Sequence, residues 1–552
     1  MQRLLASAFG VALSLMPGSS TPPAVPEDKP IVHAPAGAVR GEALAGVHIF
    51  RGLPYALPPL AQLRWKPPVP APVWSGVRAA TDFGPACFQP KPRTGSIYAD
   101  PPAAMSEDCL SLNIWSPAAA HNAPVMVWIH GGSLTSGASS EAVYDGAALA
   151  ERGVLVVSVN YRLGILGYLA HPGLSAESPQ GVSGNYGLLD QIAALRWVQR
   201  NISAFGGNPN NVTIAGESAG ALSVIYLMAS PPARGLFHKA ILQSAYMIST
   251  PELRDQRFGE ESAEAIGLRV AAKLGANDVA GLRAMDAGQL ADNAPLTGYL
   301  PFGTIDGQVL PHQLVEVFDR GEQAPVPVLA GFNSGEIRSL RFLAPPPPAD
   351  EAAYITAIQE RYGPLANTFL RLYPSSNVAE SILATTRDAM YGWTAQRLVA
   401  KQAALGQPSF LYFFDHGYPA ADALGLHGFH ASELPYLFHS ADRMPPAWPK
   451  MPLTAEEKQF AATLSDYWAA FIRSGKPSAS GQPPWQPFAS AKAFMAFIDK
   501  PQPGADLFPG MYELHEEVVC LRRAQGKTPW NWNVGILSPP LPTAAEGCNV
   551  LR

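Results

Sequence analysis

One pentapeptide of the sequence has the residue types and spacing of a serine nucleophile. Gly216-Glu217-Ser218-Ala219-Gly220 fits the pattern G-x-S-x-G, in which a serine lies on a sharp turn between a strand and a helix. The run 212–215 before it is apolar and rich in β-branched residues, and 219–228 after it is compatible with a helix. We therefore predict that Ser218 is a nucleophile for acyl transfer.

A serine hydroxyl needs a base to take its proton and a carboxylate to orient that base. In chains with this strand–turn–helix pattern the order is serine, acid, histidine, so both partners are expected after Ser218. The histidines of the C-terminal part are His416, His427, His430, His439 and His515. The residue pattern alone does not select among them.

A glycine pair provides candidate donors for the oxyanion that forms when a serine attacks a carbonyl. His130-Gly131-Gly132-Ser133 follows a strand-like run that ends at Ile129. Glycines at a strand end let successive backbone N–H groups turn toward one point. We expect an oxyanion hole made by the N–H groups of Gly132, Ser133 and Ala219.

The elements that must position these residues follow an α/β rhythm. Four apolar runs rich in β-branched residues predict strands that are buried on both faces: 125–129, 154–159, 212–215 and 326–330. Between them, residues 190–202 have apolar side chains at helical spacing. This alternation predicts an α/β fold with a mostly parallel sheet and helices on both sides.

Length and composition predict one large globular domain. Of the 552 residues, 47% are hydrophobic and 15% are charged, which is enough apolar material for a substantial core. Four prolines at 345–348 interrupt the pattern, and we expect helical cap insertions over about 345–405 before a strand at 410–414. A Trp- and Pro-rich tail, about 510–552, receives no function, and its cluster of Arg522, Arg523 and Lys527 is expected to be solvated.

The N-terminus has the organisation of a secretory signal. A basic start is followed by the apolar run 4–16 and then by Pro17-Gly18-Ser19-Ser20, which matches the three regions of such a signal. We expect residues 1–21 to be removed, so that a single domain over 22–552 is secreted or periplasmic. No later stretch has 18 uninterrupted apolar residues, and membrane insertion of the mature chain is not expected.

Charge and cysteine content limit the partners further. A net charge of -5, with no localised basic patch, argues against nucleic-acid binding. Cys87 and Cys109 bracket a polar, Pro-containing stretch and are expected to form a disulfide in an oxidising compartment. Pairing of Cys520 with Cys548 stays open, and the cysteine spacings do not resemble a zinc site.

Several further motifs, in order along the chain, resemble those of the type-B carboxylesterase family, which includes para-nitrobenzyl esterases, animal carboxylesterases and cholinesterases. They are Phe50-Arg51-Gly52-Leu53-Pro54-Tyr55, Glu107-Asp108-Cys109-Leu110-Ser111-Leu112-Asn113, Asn160-Tyr161-Arg162-Leu163-Gly164 and Gly184-Asn185-Tyr186-Gly187-Leu188-Leu189-Asp190-Gln191. The resemblance covers most of the chain. It implies the α/β-hydrolase fold, hydrolysis of small-molecule carboxylic esters, and no cofactor or metal.

The same resemblance implies the two missing catalytic partners. The segment 330–336 looks like the family's acid loop, which makes Glu336 the carboxylate. His430, just before Glu433-Leu434-Pro435-Tyr436, looks like the base, with His427 as the rival three residues earlier. With its reference pKa, a histidine base predicts a rate that rises near about pH 6 to 7.

Two positions depart from the family pattern. Ser133 stands where members commonly have Gly or Ala, so its side chain narrows the pocket or adds a donor beside the carbonyl. The stretch 88–108 contains no Trp, and its large aromatic residues are Phe88 and Tyr98, which argues against the cation–π site of choline esterases.

The sequence therefore predicts a serine carboxylic ester hydrolase that works through an acyl-enzyme. One alternative is the same machinery tuned to a single bulky natural-product or xenobiotic ester, such as a mycotoxin, phenolic or aryl ester. A more distant alternative is a non-catalytic adhesion or binding module of the same fold.

Overall fold

The computed structural model describes residues 29–92, 95–531 and 533–548. The predicted signal segment, residues 1–21, lies outside these described residues. The strands are β1 (Ile31–Ala34), β2 (Gly37–Arg40), β3 (Glu42–Leu44), β4 (Val47–Pro54), β5 (Val77–Ala79), β6 (Ser111–Pro117), β7 (Ala123–Ile129), β8 (Leu155–Val159), β9 (Gly207–Glu217), β10 (Lys239–Gln243), β11 (Val328–Asn333), β12 (Ser409–Phe414), β13 (Ala493–Phe497) and β14 (Pro501–Ala505).

Helices separate most of these strands. They are α1 (Ala147–Ala150), α2 (Gly164–Tyr168), α3 (Pro172–Glu177), α4 (Tyr186–Asn201), α5 (Ala219–Ala229), α6 (Ala263–Lys273), α7 (Val279–Ala284), α8 (Ala287–Asn293), α9 (Leu314–Asp319), α10 (Glu336–Ser339), α11 (Glu351–Tyr362), α12 (Ala366–Leu372), α13 (Val378–Arg387), α14 (Trp393–Ala404), α15 (Pro419–Asp422), α16 (Leu434–Leu437), α17 (Ala455–Ser474) and α18 (Met511–Gln525). A π-helical segment, Asp388–Gly392, joins α13 to α14.

An eleven-stranded sheet forms the centre of the molecule, in the order β14-β13-β12-β11-β10-β9-β7-β8-β6-β4-β3. All pairs from β13 to β8 are parallel, whereas the strands at both edges pair antiparallel. The carboxyl ends of the parallel strands therefore lie along one edge, where α/β enzymes carry their sites.

Alternation along the strands explains why helices cover both faces of the sheet. In β7, Val125 and Val127 belong to one hydrophobic cluster, which also holds buried side chains of α4 and α5. Met126 and Trp128 belong to a second cluster, which holds side chains of α17. Because successive side chains of a strand point to opposite faces, a continuously apolar strand needs a helical layer on each side. The predicted α/β architecture is confirmed.

The predicted local elements agree with the structure where the apolar pattern is strong. The helix expected over 190–202 is α4, and the strand expected at 326–330 is β11, shifted toward its carboxyl end. Helices α11 to α14 occupy the region where cap helices were expected. None of the helices in the described part of the chain is long and apolar enough to span a membrane.

The expectation of a solvated basic tail after residue 510 is wrong for Arg522. This residue lies on α18 and is 1% exposed, and Trp530 beyond the helix is fully buried. The helix presents Leu514 and Val518 to a cluster that α11 and α12 also form, so apolar packing outweighs the local charge. Arg522 lies four residues after Val518, on this same buried face of the helix.

Two disulfides are present. Cys87–Cys109, the predicted pair, closes the loop before β6. Cys520–Cys548, left open by the sequence, ties α18 to the end of the described chain. Both bonds join segments that lie outside the strands of the main sheet.

Candidate active site

Ser218 lies on a strained turn between β9 and α5. Its backbone dihedrals are φ 54° and ψ −121°, a region that L side chains rarely adopt. A Cβ on Gly216 would lie 2.5 Å from the carbonyl carbon of Gly220, and a Cβ on Gly220 would lie 2.0 Å from the Ile129 oxygen. Both glycines are therefore required for the strand and the helix to approach this closely.

Glu336 and His430 are hydrogen-bonded to each other in a buried setting. The Nδ1 atom of His430 lies 2.5 Å from Oε2 of Glu336, and the other carboxylate oxygen accepts from the Asn333 N–H at 2.8 Å. Glu336 is fully buried and begins α10, three residues after β11 ends. The bond fixes Nδ1 as the protonated nitrogen, so Nε2 is free to act as a base.

The free nitrogen of His430 faces Glu217, the residue just before Ser218. Nε2 of His430 lies 3.1 Å from Oε1 of Glu217, and both side chains are buried. Among the hydrogen bonds of the described residues, none joins His430 to Ser218. The structure thus pairs Glu336 with His430 directly and brings the imidazole to Glu217, the residue before Ser218.

The two carboxylates shift the titration of this site. Burial by itself lowers the pKa of His430, but the charges of Glu217 and Glu336 outweigh it and raise the pKa from 6.5 to about 9. Burial also raises the pKa of Glu217 from 4.5 to about 8, against the favourable charge of His430. The negative charges of the two carboxylates therefore stabilise the positively charged imidazole, which is the form that a base reaches after it takes a proton.

A third buried carboxylate, Glu433, connects the strands beneath the site. Its oxygens accept from Gln243 Nε2 at 2.8 Å and from Asn333 Nδ2 at 2.6 Å. Asn333 also donates to the Phe429 carbonyl at 2.8 Å, so the ends of β10 and β11 are linked to the segment that carries His430. Sequence reasoning missed the roles of Glu217 and Glu433, although both lie inside motifs that it singled out.

The glycine turn after β7 lies beside the serine. A Cβ on Gly131 would be 3.3 Å from the Cβ of Ser218. The next two residues, Gly132 and Ser133, have φ values of 98° and 57°, and both are exposed. In the described part of the chain, no hydrogen bond uses their N–H groups, and Ala219 begins α5, where helix amides have no intrahelical acceptor.

The other C-terminal histidines have separate surroundings. His427 is half exposed beside Asp422 at 3.4 Å. His416 contacts Glu457, His439 contacts Ser465 and His515 contacts Tyr373. Of the five, His430 is the one that the structure places against Glu336.

Aromatic rings surround the imidazole. The ring of Tyr391, from the π-helical segment, lies 5.5 Å from that of His430 between centroids, and Tyr98 lies at 6.3 Å. Tyr246 packs on Tyr391 at 6.2 Å. No cluster of three or more potential metal ligands occurs among the described residues.

Comparisons with known proteins identify one family of relatives. The model of the carboxylesterase family matches residues 28–509. A fumonisin B1 esterase of Sphingopyxis macrogoltabida is 38% identical over 515 residues, covering 89% of this chain and 91% of the relative. A para-nitrobenzyl esterase of Bacillus subtilis is 36% identical, covering 81% of this chain and 90% of the relative.

Solved structures of esterases superpose on most of this chain. A para-nitrobenzyl esterase superposes with a TM-score of 0.75 at 33% identity, covering 88% of this chain and 99% of that one. A Geobacillus stearothermophilus carboxylesterase superposes with a TM-score of 0.73, also at 33% identity, and covers the same shares. The expected α/β-hydrolase fold is confirmed.

Proposed function

Since this chain belongs to the carboxylesterase family and is a carboxylic ester hydrolase, we propose that it works through an acyl-enzyme on Ser218, with His430 as the base and Glu336 as the orienting acid. The observation that supports this proposal best is the buried bond between Glu336 and Nδ1 of His430. It directs Nε2 to the serine-bearing turn, where Nε2 lies 3.1 Å from Oε1 of Glu217.

In the first step Ser218 Oγ attacks the ester carbonyl while its proton passes to Nε2 of His430. The imidazole turns from Glu217 toward the serine, a short movement of the kind that often accompanies substrate binding. Backbone N–H groups of Gly132, Ser133 and Ala219 donate hydrogen bonds to the oxyanion, with a stabilisation of about 3 kcal/mol for each donor.

The alcohol then leaves with the proton held by His430, and the acyl group remains on Ser218. Water attacks the acyl-enzyme, gives its proton to His430, and releases the acid as Ser218 recovers its own proton. The charges of Glu217 and Glu336 stabilise the imidazolium in both halves of the reaction. None of these steps requires a cofactor or metal.

The test uses p-nitrophenyl esters of increasing acyl length with the intact chain, Ser218→Ala, and an exposed-serine control, Ser203→Ala. We expect rapid hydrolysis by the intact chain and the control, and a loss of at least about 10⁴-fold in Ser218→Ala. Turnover that survives in Ser218→Ala would contradict the proposal. Fluorophosphonate labelling distinguishes an inert binding module, which does not react, from a selective esterase, which does.

A selective esterase for one bulky natural-product or xenobiotic ester is the second candidate. It is supported by similarity to a fumonisin B1 esterase and by Ser133, which occupies an exposed position on the glycine turn. The two candidates predict different ratios of kcat/KM for bulky and simple esters, since specificity depends on the pocket loops. A ratio near one favours the general esterase.

We also propose that the chain is a single exported domain over residues 22–552, secreted or periplasmic. The two disulfides support this proposal, because such bonds persist in oxidising compartments.

A further inference from the structure

The described residues of the loop closed by Cys87 and Cys109, 87–92 and 95–109, are attached to the protein at the base of the loop. The N–H of Ala86 donates to the Ala104 carbonyl at 3.0 Å, and the N–H of Ser106 donates back to Ala86 at 2.9 Å. Glu107 forms a two-fold ion pair with Arg64, with both N–O distances at 2.6 Å. We call this segment the Cys87–Cys109 loop.

One side chain of this loop holds the glycine turn. Gln89 is buried, and its amide makes two bonds to Gly137: Oε1 accepts from the N–H at 2.9 Å and Nε2 donates to the carbonyl at 3.0 Å. A Cβ on Gly137 would lie 2.8 Å from the Gly131 oxygen. The side chain of Gln89 therefore binds the turn at Gly137, where the end of the turn comes close to Gly131.

Backbone hydrogen bonds close the turn between these two ends. Gly132 O accepts from the N–H groups of Thr135 and Ser136, both at 2.9 Å. Fixing Gly137 therefore fixes the orientation of Gly132, one of the proposed oxyanion donors.

A second side chain of the loop holds the base. The Tyr98 hydroxyl lies 3.0 Å from the backbone oxygen of His430 and 2.7 Å from Ser339 Oγ. Ser339 ends α10, the helix that begins with Glu336. Tyr98 thus contacts both the segment of the base and the helix of the acid.

We infer that Gln89 and Tyr98 are positioning residues for ester hydrolysis: Gln89 sets the glycine turn, Tyr98 sets the acid–base pair, and the Cys87–Cys109 loop keeps these two groups in register. The inference rests on the proposed function. Because the turn and the base belong to distant parts of the chain, contacts from one disulfide-closed loop to both limit errors in their separation. Displacements of about 1 Å are enough to slow catalysis severely.

The experiment compares Gln89→Leu, Tyr98→Phe and their double variant with Lys91→Ala, a control on an exposed side chain of the same loop. Rates are measured with p-nitrophenyl butyrate and expressed per active site, counted by titration with a fluorophosphonate. We expect each single variant to lower kcat by about tenfold, the effect of one lost hydrogen bond, with KM changed by less than about twofold. The control keeps wild-type values.

Binding of an alkyl trifluoromethyl ketone separates positioning from simple stability. This probe forms a tetrahedral adduct with a serine, so its Ki should rise by the same factor as kcat/KM falls. A fall in Tm with unchanged kcat and Ki per titrated site would overturn the inference. If Gln89→Leu does not fold, Gln89→Glu, which keeps the acceptor for Gly137 N–H, replaces it with the same criteria.

The double variant tests whether the two contacts act on separate groups. Separate contributions to one transition state multiply, so kcat should fall by about a hundredfold. A double variant no slower than Tyr98→Phe would overturn the two-group arrangement. If Ser218→Ala retained full activity, the proposed function would fail; wild-type kinetics in the loop variants beside an inactive Ser218→Ala would overturn the loop inference alone.

Discussion

The imidazole of His430 lies between two carboxylates that come from different strand ends. Glu336 follows β11 and holds Nδ1, whereas Glu217 ends β9 and faces Nε2. A triad needs the first contact to orient the base. When Glu217 is ionised, the second contact adds negative charge on the side where the proton arrives, which favours the imidazolium.

This arrangement predicts a displaced pH profile. His430 acts as a base only when it is neutral, so activity present above its pKa is lost as the pH falls through that value. The raised pKa of His430, about 9, moves this limb above the range of about pH 6 to 7 expected from the reference pKa.

In Glu217→Gln one negative charge is removed, so the pKa of His430 should fall and the acid limb should move to lower pH by about one unit. The measurement is kcat/KM over a pH series, with Ser203→Ala as the control. A limb that stays in place or moves to higher pH in Glu217→Gln would exclude Glu217 as a source of the shift.

Glu336→Gln tests the other carboxylate. An amide can offer its oxygen or its NH₂ group to Nδ1, and the latter choice leaves Nε2 protonated, so we expect kcat to fall by about 10³- to 10⁴-fold. Circular dichroism and fluorophosphonate titration check that the variant is folded. Loss of less than about tenfold would show that Glu336 does not orient the base.

At the scale of elements, the site could be predicted where chemistry and local pattern coincide. The sharp turn at Ser218 could be predicted because the strand β9, the turn and the helix α5 are encoded by adjacent residues. The contact between Glu217 and His430 could not be predicted, because a residue at the end of a strand acquires its partner only when the chain folds and the distant segment of His430 packs beside it. The burial of Arg522 was missed for a similar reason, since the apolar residues beside it on α18 pack against α11 and α12, which are distant in sequence.

The helix α18 gives a prediction about stability. Cys520 and Cys548 are separated by 28 residues, and a loop of this length stabilises the folded state by about 3 kcal/mol through the entropy of the unfolded chain. We expect Cys520→Ser with Cys548→Ser to lose about that amount in denaturant unfolding. Neither cysteine contacts the site, so kcat per titrated site should be retained.

The buried ion pair between Arg162, which precedes α2, and Asp190 on α4 gives another prediction about stability. Asp190 accepts from Nε and Nη2 of Arg162, both at 2.7 Å, and neither side chain is exposed to solvent appreciably. Asp190→Asn leaves the guanidinium without its counter-charge and should cost about 3 to 5 kcal/mol. Urea unfolding measures this loss, and an unchanged midpoint would contradict it.

At the scale of the whole molecule, the two disulfides close segments on either side of the catalytic core. The first lies in the loop before β6, and the second lies beyond the region that matches the family model. Between them the parallel sheet is held by its backbone hydrogen bonds and by the apolar clusters on its two faces. The disulfides therefore secure parts of the chain that lie outside the sheet.

This view predicts the state of the exported protein. If the chain is secreted or periplasmic, material from those fractions should begin near residue 22, and none of its four cysteines should react with a thiol reagent after denaturation. Protein produced in a reducing cytoplasm is the control and should show free thiols. Free thiols in the exported material would contradict the proposed localisation.

The strained backbone of Ser218 has a consequence for laboratory evolution. A glycine at this position would relieve about 1 kcal/mol or more of conformational cost, so the inactive Ser218→Gly chain is expected to tolerate heat better than the active one. Libraries screened only for survival of a thermal challenge will therefore enrich sequences that have lost the hydroxyl. A search for a more durable esterase has to score turnover in every round, because resistance to heat and the ability to react are opposed at this one residue.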